Sequence, residues 1–486
     1  MADTVTELEK TVLPLREIPG SYGLPLIGAI RDKLDFYWFE QVPKFYESRR
    51  DKYQSTVFRT NVAPGPPGVF NNPRVVMLLD QKSYPVLFDV TKVEKKDVFT
   101  GTYVPSTSFT GGYRVLPYLD PSEEMHFKLK LFCFDILGRC LHRFFPEFHD
   151  AISDCFSDWE GTLANDGRVD FTKALSTATF KFNVKAFIGR DPFEPGLNSI
   201  GPRGPGMTKT WILAQIAPIS VVPKSMLPSK LLIPLVELVL HTFPIPFAFV
   251  RGEYEKLIRF FRTYGGELLD VAQTQHGIGR DEAAHNLLFI TLFNSWGGID
   301  IFLPRMLKRL GALSPEAQLE IAADVRRVRK AIGGINLKAL DEMELVKSLV
   351  YESLRIDPPI PYQYAHAKRD LIVESHESSF LVKKGEMLAG YMPLACKDPL
   401  VFSEPNKFLP KRFMGDGKQL LRYVLWSNGP ETQETTLRNK QCAGKHIVPL
   451  IGRLLVAELY LRYDFLKIGD DGMLTSLIPA KEKWVF

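Results

Sequence analysis

Apolar positions follow two kinds of spacing along this chain, and they change over near residue 121. Between about 53 and 120, β-branched runs such as Ser55–Phe58 and Arg74–Leu79 are cut by Pro and Gly, the pattern of short strands joined by turns. After Pro121, helical spacing dominates to about Arg369. Strand and turn patterns return over 371–395, and Val448–Tyr463 reads as a last apolar helix. Residues 14–28 carry Pro and Gly too densely for a helix and predict an extended arm. The change near 121 lacks the composition of a linker. The pattern therefore predicts one interwoven domain over 1–486, mainly α with a small β-rich N-terminal part. Its arm covers about 1–28, its β-rich part about 53–120 and its helical part about 121–486.

Two helical stretches stand out. One starts at about Asp281, a good N-cap, passes Phe293-Asn294-Ser295-Trp296-Gly297-Gly298-Ile299-Asp300-Ile301 and is limited by Pro304. Asn294, Gly298 and Ile301 are spaced i, i+4, i+7, so they share a face, and the glycine pair leaves room beside it. The other, 209–250, is apolar but broken by Pro218, Pro223, Pro228, Pro234, Pro244 and Pro246. Short broken helices of this kind rim a pocket or lie on a membrane surface, with plain core packing as an equal alternative. No internal repeat or low-complexity tract interrupts the pattern.

Composition narrows the class. The chain has 486 residues, 45% apolar, and 61 basic against 56 acidic side chains, a balance of +5. That is too mild for nucleic acid, and no basic run interleaves with aromatics. The five cysteines (Cys133, Cys140, Cys155, Cys396, Cys442) are scattered without a CxxC pair, which fits a reducing compartment and neither a disulfide framework nor a zinc site. The N-terminus, with Asp3, Glu7 and Glu9, resembles neither a secretory signal nor a transit peptide. No uninterrupted apolar run has membrane-spanning length. The expectation is a cytoplasmic or peripheral membrane protein.

The chemistry gathers near the C-terminal end. Cys442-Ala443-Gly444 follows Trp426-Ser427-Asn428-Gly429, with thirteen positions from Gly429 to the cysteine. A cysteine before Ala-Gly, after an aromatic-x-x-Gly turn, presents a thiolate to a haem iron, since glycine lets the backbone pass close to a porphyrin. A buried free cysteine is the plain alternative. Against that alternative stand Glu352 and Arg355, three apart on one helix face, followed by Pro410-Lys411-Arg412-Phe413. A helical Glu–Arg pair joined by a second Arg makes a buried charge network, for which the planar guanidinium is suited.

Glu-x-x-Arg, Pro-x-Arg-Phe and Cys-x-Gly in this order and spacing resemble a cytochrome P-450, implying that fold around one haem b with Cys442 as axial ligand. Two departures matter. Ordinary relatives place the Gly four positions before the Cys, so nine residues are inserted here. Where oxygen-activating relatives carry a proton-delivering Thr, this chain has Ile301. Both departures resemble the plant fatty-acid-hydroperoxide branch: allene oxide synthases, hydroperoxide lyases and divinyl ether synthases. The match extends through residues 14–23, Lys52–Arg59, Glu94–Tyr103, Tyr118–Glu123 and Ser427–Thr432.

This resemblance implies that polyunsaturated fatty-acid hydroperoxides are dehydrated to unstable allene oxides by O–O homolysis, without dioxygen, NADPH or a reductase, in oxylipin biosynthesis. It implies that Lys95, His126, Lys130 and Lys440 partner the haem propionates. It makes Asn294 the hydrogen-bonding group at the peroxide, beside Gly298 and Ile301 in the substrate pocket. Phe99 corresponds to a position that tends to be Phe in allene oxide synthases and Leu in the other branches; its ring favours electron loss through its π face. Asp300 stands where some relatives carry Lys, so a substrate carboxylate would be repelled there. Pro361–His366 and Leu394–Lys397 also depart from commoner versions of the pocket wall. Relatives of this kind are often plastid proteins. The alternatives are a lyase or divinyl ether synthase of the same fold and, further off, a monooxygenase or a structural lipid-particle haem protein.

Overall fold

Strands from distant parts of the chain build the main sheet. The computed structural model describes residues 13–62, 72–221, 226 and 229–482. Its strands are β1 (Leu15–Arg16), β2 (Val57–Asn61), β3 (Arg74–Leu78), β4 (Val93–Glu94), β5 (Tyr362–Ala367), β6 (Leu371–Glu374), β7 (Ser379–Val382), β8 (Met387–Tyr391), β9 (Tyr463–Ile468) and β10 (Leu474–Pro479). Five pair in the order β2-β3-β8-β5-β4, where only β3–β8 is parallel. The β-rich part expected over 53–120 therefore supplies three strands, and 362–391 completes the sheet. Strand structure resumes at Tyr362, ahead of the expected 371, because Pro358, Pro359 and Pro361 cannot extend the Glu344–Ile356 helix. The arm adds β1 to a small sheet, β1-β7-β6, and touches Arg59 through Gly20. Gly20 has φ +88°, and a Cβ there would sit 2.6 Å from Arg59 O, so only glycine fits. The arm's last residues already belong to a helix, Ile27–Leu34.

Helices make up most of the rest. Glu124–Asp166 runs 43 residues, with Pro146 inside it, and packs along Phe171–Ile188. Ile447–Arg462 is buried along almost its whole length beside Glu344–Ile356. Within 209–250 the described residues form the α-helices Gly204–Ile216 and Ile233–Leu240 and the 3-10 turns Ala217–Ile219 and Phe247–Phe249; Pro223 and Pro228 lie outside the described residues.

The central helix departs from expectation in three ways. It starts at Arg280 after Gly279, while Asp281 lies inside the first turn and bonds Arg262 and Tyr113. Its middle, Phe289–Trp296, is π-helical, so Asn294 does not sit on an uninterrupted α spacing. Pro304 lies within the final Gly297–Gly311 portion and does not end it. One lost N–H bond is outweighed there by the burial of Leu303, Met306 and Leu307 on the core side.

Glu352, Arg355 and Arg412 meet as one buried cluster. Arg355 Nε and NH2 bond the Glu352 carboxylate at 2.7 and 2.8 Å, and Arg412 Nε bonds both its oxygens at 3.0 Å. The side chains of Glu352 and Arg355 are 0% exposed. Their remaining donors close on carbonyls of Cys396, Ser403, Glu404, Pro405 and Lys407, and Leu409 N donates to Glu352. Removing one member of such a set leaves a buried charge uncompensated, at a cost of about 3–5 kcal/mol. Glu352→Gln should lower the unfolding free energy from denaturant titration by a matching amount. A loss within 1 kcal/mol, an amount typical of exposed pairs, would show that these charges are effectively solvated.

Candidate active site

The loop carrying Cys442 is held from both sides. Cys442 N donates to Ser427 O at 2.8 Å, and Gln441 Nε2 reaches Ser427 Oγ and Pro430 O, both at 3.0 Å. Asn428 takes a positive φ of 62°, which lets its amide donate to Lys440 O at 2.9 Å. Gly429 is needed because a Cβ there would press to 3.0 Å on the Gln441 side chain. The inserted residues fold back on themselves: Lys445, itself buried, bonds Gln433 O, Asn439 Nδ2 bonds Glu434 O, and Thr435 bonds Gln441 O. Cys442 keeps accessible surface, yet burial raises its thiol pKa, opposed by the Gly444 N–H and Lys130. Together these observations put the sulfur on an interior surface.

Basic side chains gather around it. Lys95 is buried and donates to Gln363 Oε1 at 3.1 Å and Asn428 Oδ1 at 2.8 Å. Burial, then the Lys440 charge, push its ammonium down to about 7. Lys440 donates to the carbonyls of Leu116, Pro117 and Leu119 at 2.7–3.2 Å, and burial brings it to about 7 as well. Lys130 bonds the backbone and side-chain oxygens of Asn439, with burial lowering it to about 8. Buried His126 is pushed down to about 3 by burial, Lys440 and Lys130, and its Nδ1 has no partner.

Among the described residues no carboxylate forms an ion pair with Lys95, Lys130 or Lys440. Asp120 lies close enough to favour the charged forms of Lys95 and Lys440 but bonds the Lys95 backbone N–H instead. A buried cationic cluster with an orphan imidazole nitrogen suits an anionic group with carboxylates, and the inward sulfur beside it suits a metal. The donor set fits haem.

The distal residues connect through rings. Tyr118, on the segment that Lys440 caps, meets Phe99 edge-on at 5.7 Å, and Phe99 meets Phe293 at 6.4 Å. Phe293 stacks on Phe289 at 4.4 Å and immediately precedes Asn294. Asn294 is exposed, and among the described residues its side-chain amide has no hydrogen-bond partner. Gly298 looks onto open space where a Cβ would point, and Ile301 is 39% exposed. Asp300 pairs with Lys209 at 3.1 Å, so the charge expected to repel a substrate carboxylate is already compensated. Gln363 and Asn428 were absent from the sequence-based site. Asn428 lies inside the quoted Trp-Ser-Asn-Gly turn and Gln363 inside the 361–366 segment read as pocket wall, but nothing local marks the bond to Lys95, which forms only through the sheet.

Comparisons with known proteins bear on the family and the fold. Residues 307–466 match the family model described as Cytochrome P450. The chloroplastic allene oxide synthase of Arabidopsis thaliana is 48% identical over 456 residues, covering 93% of this chain and 85% of that protein. That of Linum usitatissimum is 46% identical over 473 residues, covering 96% and 86%. The allene oxide synthase of Parthenium argentatum is 46% identical and covers 94% of each chain. Retinoic-acid-bound cyanobacterial CYP120A1 shares the fold, with a TM-score of 0.65 at 17% identity, covering 96% of this chain and all of that one.

The lysine cluster sets a pH dependence. A carboxylate placed beside Lys95 raises its pKa above about 7. Binding then takes up a proton at alkaline pH, and affinity falls as pH rises through 7. Haem titration of the apoprotein, read by Soret absorbance, should weaken between pH 7 and 9 (a span set by the shift that a partner charge confers), and weaken less in Lys95→Met. Identical pH profiles would remove Lys95 from this role.

Proposed function

The chain belongs to the allene oxide synthase family of cytochromes P450, and on that footing we propose that it is a hydroperoxide dehydratase. Its substrate is a polyunsaturated fatty-acid hydroperoxide, and the product is an allene oxide plus water. No reductase or reductant takes part. The observation that carries the reading is the accessible helix face with Asn294 and Ile301, an aliphatic group standing where proton delivery to dioxygen would need a hydroxyl.

The Cys442 thiolate would hold a haem iron, and that group would supply the chemistry that cleaves the peroxide O–O bond. Lys95, His126, Lys130 and Lys440 would hold its carboxylates by charge-assisted hydrogen bonds, releasing some of their present neutral partners. The Asn294 amide is free to donate a hydrogen bond to a peroxide oxygen, and its neutrality keeps that donor constant with pH. We assign to the Phe99 ring, packed at steep angles to Tyr118 and Phe293, the stabilisation through its π face of positive charge developing on the substrate's carbon chain. That bias selects dehydration over return of the hydroxyl group, the route to lyase products. The Arabidopsis and Linum relatives are named chloroplastic, and a plastid is the compartment we infer.

Purified holoenzyme should consume a polyunsaturated hydroperoxide anaerobically, without NADPH, and yield ketols from allene oxide. A strict need for a reductant sinks the reading. Phe99→Leu should move products toward aldehydes, since a tenfold change in partition needs only about 1.4 kcal/mol between barriers. Asn294→Leu should slow all products together. An unchanged product ratio in Phe99→Leu assigns that ring to packing alone.

Contact with a lipid surface is part of the same proposal. The helix Ile233–Leu240 is inside out: Glu237 points inward, paired with Lys33 at 2.8 Å and His241 at 2.7 Å. Outward, Leu231, Leu232, Leu235, Leu238 and Val239 are each more than half exposed, and so is Ile27 on the helix that Lys33 ties to Glu237. Over 229–250 the only exposed charged side chain is Lys230. An apolar face free of acid groups and marked by one lysine suits lipid headgroups and acyl chains. The double variant Leu235→Glu/Leu238→Glu should lose co-sedimentation with phosphatidylcholine–phosphatidylglycerol vesicles while keeping its thiolate spectrum. Undiminished sedimentation overturns the lipid contact.

A further inference from the structure

The accessible face of the central helix continues past Ile301. Within the α-helical Gly297–Gly311 portion, Gly298, Ile301 and Arg305 are spaced i, i+3, i+7 and share one side. The opposite side, with Ile299, Leu303, Met306 and Leu310, is buried. Arg305 is exposed, yet enclosed enough that burial lowers its guanidinium pKa, with Asp357 acting against that shift and Tyr391 within electrostatic reach. Its side chain is therefore accessible and partly dehydrated at once.

Arg305 is poorly paired. Its hydrogen bond to Pro358 O is long, at 3.4 Å. The nearby acids are taken: Asp357 accepts from Arg309 Nε and NH2 at 2.7 and 3.1 Å, and Asp300 is held by Lys209. Among the described residues no carboxylate lies within ion-pair distance of Arg305. A partly desolvated guanidinium with free donors matches the two oxygens of a carboxylate.

Resting on the hydroperoxide reading above, we propose that Arg305 anchors the substrate's carboxylate and that this fixes which hydroperoxide is accepted. Arg305 lies eleven positions beyond Asn294, a rise of at most roughly 16 Å because Asn294–Trp296 still belong to the π-helical part. An extended chain covers ~1.2 Å per bond, so the twelve bonds from carbon thirteen to the carboxyl carbon span about 15 Å and the eight from carbon nine about 10 Å. A thirteen-hydroperoxide held at Arg305 brings its peroxide level with Asn294. A nine-hydroperoxide held there falls short by about one helical turn.

The test uses holoenzyme with nine- and thirteen-hydroperoxides of linoleic acid, each as free acid and as methyl ester. Native enzyme favours the thirteen-hydroperoxy acid. Arg305→Gln raises KM for that acid by about tenfold or more with kcat little changed, as expected for lost ground-state binding. It leaves the methyl ester's parameters unchanged and narrows the preference between the two acids. Arg305→Lys restores most of the loss, which a fold defect would not. An acid-to-ester ratio that is the same in native enzyme and Arg305→Gln overturns the anchor, and a native preference for the nine-hydroperoxide overturns the length argument. If native enzyme turns over no hydroperoxide, the proposed function fails by itself. Equilibrium binding of linoleic acid against its methyl ester, in native protein and Arg305→Gln, then still decides the anchor.

Discussion

One carboxylate organises the half of the molecule that carries the thiol. Glu352 sits in the core with two guanidiniums on it, and neither arginine is satisfied by that carboxylate alone. Their spare donors reach five carbonyls between Cys396 and Lys407, and this draws an otherwise irregular stretch onto the Glu344–Ile356 helix. That stretch leads through Val424 and Leu425, both buried, into the turn whose Ser427 carbonyl receives the Cys442 N–H. The cluster's worth lies in placement, since a buried ion set contributes little net stability against an apolar replacement.

The charge around the sulfur is arranged differently. Lys95, Lys130 and Lys440 are crowded together and dehydrated, and among the described residues their hydrogen-bond partners are neutral oxygens. Lys440 destabilises the charged form of Lys95 and Lys130 that of Lys440, and the protein tolerates this because the backbone holding them is fixed elsewhere. Lys440 closes three carbonyls of a short turn, and Tyr118 from that turn reaches the Phe99 ring. The cationic side and the aromatic side of the site therefore share a single support.

Much of this was legible in the sequence, for reasons that differ by element. The cysteine loop and the Glu-x-x-Arg and Pro-x-Arg-Phe words are local, so spacing alone brought Cys442, Glu352, Arg355 and Arg412 forward. The sheet was half legible. β2 and β3 announce themselves by β-branched runs, but β8 pairs with β3 across some three hundred residues, and no local pattern records that choice. For the same reason the bond from Lys95 to Gln363 escaped notice, although 361–366 was read as pocket wall. Pro304 misled because propensity counts the missing N–H and cannot see Leu303 and Met306 going into the core. Glu237 and His241 were hidden by an apolar stretch that, read as a sequence, gives no sign of being inside out.

The π-helical stretch Phe289–Trp296 works as a phase setter for the whole central helix. A π turn holds about one residue more than an α turn, so everything after it is rotated relative to everything before. Asn294 belongs to the wound-out part and Arg305 to the regular part. The angle between the two around the helix axis is fixed by that local excess of chain and not by either residue. Tightening the stretch to α geometry by losing one residue would leave both side chains chemically intact while swinging them by roughly 100° out of line. In that sense the helix stores a relation between two ends as a length, written in an eight-residue stretch that itself carries Asn294.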